Sequence, residues 1–394
     1  MTTSTARPLG RHLALLTGIM LIAANLRAPF TALAPLLGPI RADDGLSTLA
    51  VGALTTLPLL AFALLSPFSA AFARRYGLER ALFGALSAIA LGILLRSTDA
   101  VWCLYAGTAI IGMGIAVGNV LLPSLVKRDF PQHVATLTGA YALIMGMAAA
   151  VGSAVAIPLG QALGWRHALL AFLVLPLAAL AVWIAQLARH ARPASGTATT
   201  PHGGKVWHAA LAWQITLFLG LNSTIYYVVI GWLPTILVDA GMPATQAGSL
   251  HGVLQLATAV PGLLLGPILR KMGDQRLAAT TACGLSAIAL LGFWWLPRYA
   301  VVWSVLFGIG TGAGIILGLA FIGLRTRSAT QAASLSGMSQ CVGYLLASTG
   351  PIAMGALHDA LGGWPVPLLV CTVLALAAAV MGWLAGRNVQ LDGG

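Results

Sequence analysis

Apolar runs long enough to cross a bilayer, about 20 residues each, recur along this 394-residue chain from end to end, and no other feature constrains its fold as strongly. Twelve are read, at approximate bounds 13–38, 47–72, 80–97, 101–126, 135–160, 166–187, 211–238, 246–270, 277–297, 300–325, 331–358 and 364–386. In lipid each backbone polar group must be satisfied within its own segment, which selects helices; barrel strands would alternate apolar and polar residues instead. Composition agrees, since 59% of residues are hydrophobic and 8% charged, against roughly a quarter charged in a soluble domain. A soluble enzyme and a secreted disulfide scaffold are excluded. The four cysteines, Cys103, Cys283, Cys341 and Cys371, stand singly without metal-ligand spacing. The run after the short polar start, Met1 to Arg11, is too long for a signal-peptide core and is expected to be a retained first span.

The net charge of +12 reads as a topology signal, because Lys and Arg accumulate in cytoplasmic loops. Twelve spans put both termini on one side. Loops there hold sixteen basic residues: Arg7, Arg11, Arg74, Arg75, Arg80, Lys127, Arg128, Arg189, Arg192, Lys205, Arg270, Lys271, Arg276, Arg325, Arg327 and Arg387. The opposite loops hold four, Arg41, Arg96, Arg166 and Arg298. The bias predicts both termini in the cytoplasm, together with the Ser, Thr and Gly-rich connection 188–210.

The chain also aligns with itself. An offset of 196 carries Gly52 onto Gly248 and Gly77 onto Gly273, and it carries Gly112, Gly114 and Gly118 onto Gly308, Gly310 and Gly314. An offset of 198 carries Gly139 and Gly152 onto Gly337 and Gly350. Two parallel six-helix repeats follow, residues 1–187 and 211–394 joined by the linker 188–210, an arrangement used by transporters that rock around a central site.

Two basic clusters, ARRYGLER at 73–80 and LRKMGDQR at 269–276, resemble the loop between the second and third helices of the major facilitator superfamily and its copy in the second half. Where that loop usually carries an Asp, this chain has Arg74 and Arg270, so a gating ion pair built on that Asp is not carried over. The segments NLRAPFT at 25–31, TTLPLLAFALLSP at 55–67, GNVLLPSLVKRDFP at 118–131, YYVVIGWLP at 226–234, SLHGVLQLATAVPG at 249–262 and SGMSQCVGYLLASTGP at 336–351 resemble the cyanate and 2-nitroimidazole transporter branch, nearer to its 2-nitroimidazole members. The resemblance implies the major facilitator fold, with twelve transmembrane helices in two pseudo-symmetric bundles. It also implies transport of a small planar anion or polar heteroaromatic, 2-nitroimidazole-like or, alternatively, cyanate or another small organic anion.

All nine acids fall in loops or at helix ends, so the usual membrane-buried proton carrier is missing from the sequence. Arg27, by contrast, comes about 14 residues, or roughly 21 Å, into the first span. Its fork of donors can hold an anionic or polarised oxygen; otherwise it bonds backbone carbonyls where the helix breaks near Pro29. His251 and Gln255 share one face at i,i+4, and His251 is the candidate for proton coupling or a substrate hydrogen bond, against simple interhelical packing. Asn222, Tyr226 and Tyr227 in the seventh span, Tyr141 in the fifth and Gln340 with Tyr344 in the eleventh are the remaining candidate contacts for a planar ring. Asn119 and the run Lys127, Arg128 and Asp129 read as packing and closure at the cytoplasmic side, as do Arg74, Arg75, Arg80, Arg270, Lys271 and Arg276.

No Walker loop and no paired-carboxylate or His cluster is visible, which leaves a gradient-driven or facilitative transporter rather than an ATP-driven pump or a membrane enzyme. No cofactor, metal or nucleic acid is expected. The partners expected are the substrate and the bilayer, with the chain as a monomer.

Overall fold

The computed structural model describes residues 9–130, 133–187, 206–262, 264–265, 272–327 and 329–391. The first half contains α1 (Leu9–Asn25), α2 (Ala28–Thr31), α3 (Leu37–Asp44), α4 (Thr48–Tyr76), α5 (Leu78–Arg96), α6 (Val101–Asp129), α7 (Val134–Leu163), α8 (Trp165–Ala171) and α9 (Val174–Leu187). The second contains α10 (Ala210–Asp239), α11 (Ala244–Ala257), α12 (Arg276–Trp295), α13 (Ala300–Leu324), α14 (Ala329–Leu361) and α15 (Pro365–Ala385). Among the described residues, ten helical segments are long and apolar enough to cross a bilayer. Of the two other expected spans, 246–270 begins in α11 and runs into residues 263 and 266–271, outside the described residues, and 331–358 lies within the 33-residue α14. Arg7, Arg189, Arg192, Lys205, Arg270, Lys271 and most of the 188–210 connection also lie outside them, as do the side chains of Arg74 and Lys127.

Three expected spans are broken: 246–270 turns at Thr258 and Ala259, just before Pro261, and proline accounts for the other two. The first, expected as one helix over 13–38, divides into α1, α2, a single 3-10 turn at Ala34–Leu36 and α3. Pro29 and Pro35 cannot donate to the carbonyls one turn earlier, so the helical ladder fails at each. The sixth divides at Phe172 and Leu173, where Pro176 leaves the Phe172 carbonyl to Leu175 at 3.2 Å. Prolines in spans are tolerated where neighbouring helices take up the freed groups.

The repeat is visible in the backbone. Gly45 and Gly241, 196 apart, both have positive φ, at 64° and 92°, and Gly164 and Gly362, 198 apart, do likewise at 80° and 70°. Gly45 ends α3 in the left-handed conformation that glycine adopts without strain. Side chains repeat too: the Trp165 indole donates to Asp43 at 2.8 Å, and the Trp364 indole donates to Asp239 at 2.8 Å.

Basic side chains Arg75, Arg80, Arg128, Arg276, Arg325 and Arg387 mark one end of the molecule, and Asp43, Asp44, Asp239 and Asp359 mark the other. Toward this opposite end, α4 packs on α14 and α7 on α11, joining the two halves along two seams. Glycines bring the backbones together there: a Cβ on Gly52 would lie 3.1 Å from the Pro351 carbonyl, and one on Gly252 would lie 2.8 Å from that of Ala150. Thr56 adds a hydrogen bond across the first seam, donating to the Ser348 carbonyl at 3.0 Å.

Candidate functional site

The break in the first span places Arg27. α1 stops at Asn25, and Arg27 sits at the N-cap of the four-residue α2 with φ −127° and ψ −52°. Its carbonyl accepts from the Thr31 N–H at 3.0 Å and the Thr31 hydroxyl at 3.2 Å, which fixes the turn. The sequence left open whether Arg27 bonds the loosened carbonyls near Pro29, and another arginine does so. Arg96 is 1% exposed at the end of α5 and donates from Nη1 to the Pro29 carbonyl at 2.8 Å. Arg96 was expected in an exposed loop; it is instead folded under the first helix, because the Pro29 carbonyl needs a donor and lipid supplies none.

Arg27 is thereby free to face a cavity of about 420 Å³ that runs from mid-depth to the basic end. Tyr141, Tyr227, Gln340 and Tyr344, all expected at the site, line it together with Arg27. The Arg27 guanidinium and the Tyr227 ring both border it. Around it the rings form a wall: Tyr227 and Tyr344 are 6.5 Å apart between centroids, Phe62 meets Tyr344 edge-on at 5.5 Å, and Phe30 meets Tyr227 at 6.1 Å. Gln340 donates to the Ser336 hydroxyl at 3.0 Å and borders the cavity from α14. No carboxylate is among the lining residues, so the positive charge of Arg27 has no protein counter-ion there.

Four expected contacts do not line this cavity. Asn222 is 2% exposed and donates to the Thr311 carbonyl at 3.0 Å, against Gly314. Its repeat counterpart at the 196 offset, Leu26, packs in the same way on Gly118, so Asn222 is a packing residue joining α10 to α13. Tyr226, His251 and Gln255 lie behind the aromatic wall, 3%, 0% and 1% exposed, with the Tyr226 hydroxyl donating to Gln255 Oε1 at 3.1 Å.

The sequence reading also missed residues. Asn119, assigned to packing near the basic end, lines the cavity, and so do Ser223 and Ser339. The self-alignment carries the signal for them. Arg27 pairs with Ser223 and Asn119 with Ile315 at offset 196, and Tyr141 pairs with Ser339 at offset 198, and all six line the cavity.

The residues expected to take part in closure lie at the basic end. Arg128 bonds Glu79 at 2.5 Å and Asp129 at 2.7 Å. Partial burial works against its charge, but the two carboxylates outweigh this and hold its pKa above the ordinary value. Gln275, the 196-offset counterpart of Glu79, instead bonds Arg325, which also donates to the Ala385 and Gly386 carbonyls at 3.1 Å each. The second copy of the ion pair is thus a neutral amide. Arg80 is exposed, Arg75 lies over the Tyr76 ring at 5.4 Å, and Arg276 pairs with Asp274 at 3.6 Å. At the opposite end, Asp359 meets His358 at 3.4 Å, beside Thr48 and Arg41 of the other half. Its small burial raises the pKa, and these neighbours more than offset that, leaving it below the usual carboxylate value.

Comparison with known proteins gives the same architecture. Residues 15–348 match the Major Facilitator Superfamily. The 2-nitroimidazole transporter of Escherichia coli (strain K12) is 52% identical over 392 residues, covering 99% of this chain and all of that protein. The cyanate transport protein of the same strain is 28% identical over 349 residues, 88% of this chain and 90% of that one. A solved nucleoside transporter superposes with a TM-score of 0.80 over 95% of this chain and all of its own, at 12% identity. With its spans, its two-seam packing and its central cavity in place, the chain belongs to the Major Facilitator Superfamily and is a multi-pass membrane transporter rather than an enzyme.

Proposed function

We propose that the chain moves a small planar solute, anionic or bearing a strongly polarised oxygen group and of the 2-nitroimidazole type, across the bacterial inner membrane by alternating access. Arg27 carries this reading: a guanidinium at mid-depth, in an aromatic cavity whose lining holds no carboxylate. A planar fork of donors suits a nitro or carboxylate group, and Tyr227, Tyr344 and Tyr141 offer ring faces and hydroxyls to the rest of the solute. The relationship to the 2-nitroimidazole transporter supports the same chemistry. Cyanate or another small organic anion would use Arg27 but would leave the tyrosine wall without a role.

The excess of Lys and Arg supports a cytoplasmic basic end, with both termini and the 188–210 linker on that side and the cavity inward-facing. The rocking bodies are the bundles 1–187 and 211–394, working as a monomer. Single cysteines introduced at positions 43 and 196 test the orientation: an impermeant reagent added outside should label the first and spare the second, and the reverse would refute it. Transport is uniport, or it is coupled through His251, since histidine is the side-chain type able to exchange a proton in the physiological range. His251→Gln keeps hydrogen bonding and removes titration, so unchanged pH-driven accumulation in that variant would rule His251 out.

The substrate reading is tested in liposomes holding the purified protein. Labelled 2-nitroimidazole should enter faster than in protein-free liposomes and be competed by unlabelled compound. Absence of competed uptake and of binding would contradict it.

A further inference from the structure

Behind the tyrosine wall lies a group of polar atoms that the cavity does not use. His251 is fully buried with neither ring nitrogen in hydrogen-bond geometry, the Ile230 backbone lying alongside. Gln255, one turn later on the same face of α11, has its Nε2 unpartnered while Oε1 accepts from Tyr226. Buried polar groups nearly always find partners, and leaving donors dry in an apolar interior is costly. Here one donor amide and one imidazole, with a donor and an acceptor of its own, are dry together.

The position of α11 shows how they gain partners. It forms one of the two seams, with Gly248 and Gly252 set against the Ser153 and Ala150 carbonyls of α7. If the chain works by the alternating access proposed above, the seams closed here open in the other conformation, which would bring this face of α11 toward the cavity. Tyr226 links the two compartments. It caps Gln255, lies within the field of Arg27, and stacks edge-on with Tyr227 at 5.1 Å between centroids. Tyr226 thus stands between Arg27 and Gln255.

We propose that His251 and Gln255 form the second half of the substrate site and read the ring nitrogens of an azole, His251 accepting from the ring N–H and Gln255 Nε2 donating to the unprotonated ring nitrogen. Arg27 takes the polarised oxygens, the tyrosines take the ring faces, and the His251–Gln255 pair separates azoles from other flat rings. The site built this way favours five-membered diaza rings carrying a nitro or carboxylate group. This inference rests on the substrate reading above and adds the specificity determinant to it.

The test is equilibrium binding to the purified full chain with three ligands: 2-nitroimidazole, its 1-methyl derivative lacking the ring N–H, and 2-nitropyrrole lacking the second ring nitrogen. The parent should bind 2-nitroimidazole at least about tenfold more tightly than either analogue, the scale of one good hydrogen bond. His251→Phe should erase the penalty for the methyl compound, and Gln255→Glu, of nearly unchanged shape, should erase or reverse the preference over 2-nitropyrrole. Monodisperse elution and retained nitro-ring binding show that each variant is folded, and the parent's own ligand ratios test the idea without any variant. Equal affinity of the parent for all three ligands, or unchanged ratios in folded variants, would overturn the azole-reading role and leave the Arg27 reading intact. A parent that binds none of the three overturns both.

Discussion

Arg96 reaches from the end of α5 to the Pro29 carbonyl, Nη1 to O at 2.8 Å, and so holds the break in the first span from the side away from the cavity. One arginine supports the break while the other, Arg27, faces the cavity from it. Arg96 is a demanding residue to keep there, because its Nε and Nη2 are buried without partners.

Arg96→Met should therefore separate folding from binding. Removing the two unpartnered guanidinium nitrogens is favourable, leaving the buried Pro29 carbonyl without its donor costs about 1–3 kcal/mol, and the two oppose each other, so Tm should change little. The Pro29 carbonyl loses a charge-assisted bond of about 1.5–3 kcal/mol, the turn at Arg27 relaxes, and affinity for 2-nitroimidazole should fall about tenfold. Thermal melting and titration of the same preparation decide it; a loss of Tm with unchanged Kd would make Arg96 purely structural.

The seams predict a conformational bias. Gly52 has no room for a longer side chain, since even a Cβ would lie 3.1 Å from the Pro351 carbonyl and 3.2 Å from Ile352 Cα, both backbone atoms. Gly52→Leu should weaken the α4 to α14 seam and shift the population toward the opposite-facing state. In a background without native cysteines, Ser66→Cys on the cavity wall should then react more slowly with a bulky thiol reagent supplied at the basic end. Unchanged reactivity would mean that the seam is not a determinant of the equilibrium.

Acidification should act on the same region through Asp359. A carboxyl whose pKa is lowered on folding adds stability above its ordinary pKa, and that contribution is lost as pH falls through the folded value. At pH 7, Asp359→Asn should lower Tm slightly. The gap between parent and variant should close as pH drops below about 4, the ordinary carboxylate range. A gap that persists at low pH would show that ionisation of Asp359 is not what the region uses.

Much of this was legible in the sequence for physical reasons. Lipid forces each span to be both apolar and self-satisfied, so the spans stand out by hydropathy alone. A charge as deep as Arg27 has to face a cavity, and it does. Arg96 was illegible because, at a span end, an arginine in a loop and one folded beneath a broken helix have the same sequence signature. Asn222 was misplaced by its i,i+4 relation to Tyr226, although its offset to Leu26 pointed to packing on Gly314. Ser223 was missed because a serine among apolar residues carries no signal until it is aligned with Arg27. Which of two lining faces a polar residue joins depends on helix rotation and on the state of the seams, and neither is written in local pattern.

The central claim is that Arg27 holds the substrate, and binding of 2-nitroimidazole to Arg27→Ala tests it most directly. Removing one partner of a buried charge-assisted bond costs about 2–5 kcal/mol, or about 30-fold to several-thousand-fold in Kd. Arg27→Lys keeps the charge without the planar fork and should fall between parent and Ala. Titration of parent, Lys and Ala proteins, each monodisperse in detergent, should give Kd rising in that order, with binding by the Ala protein weakened at least 30-fold. An Arg27→Ala protein that binds 2-nitroimidazole with the parent's affinity would contradict the account.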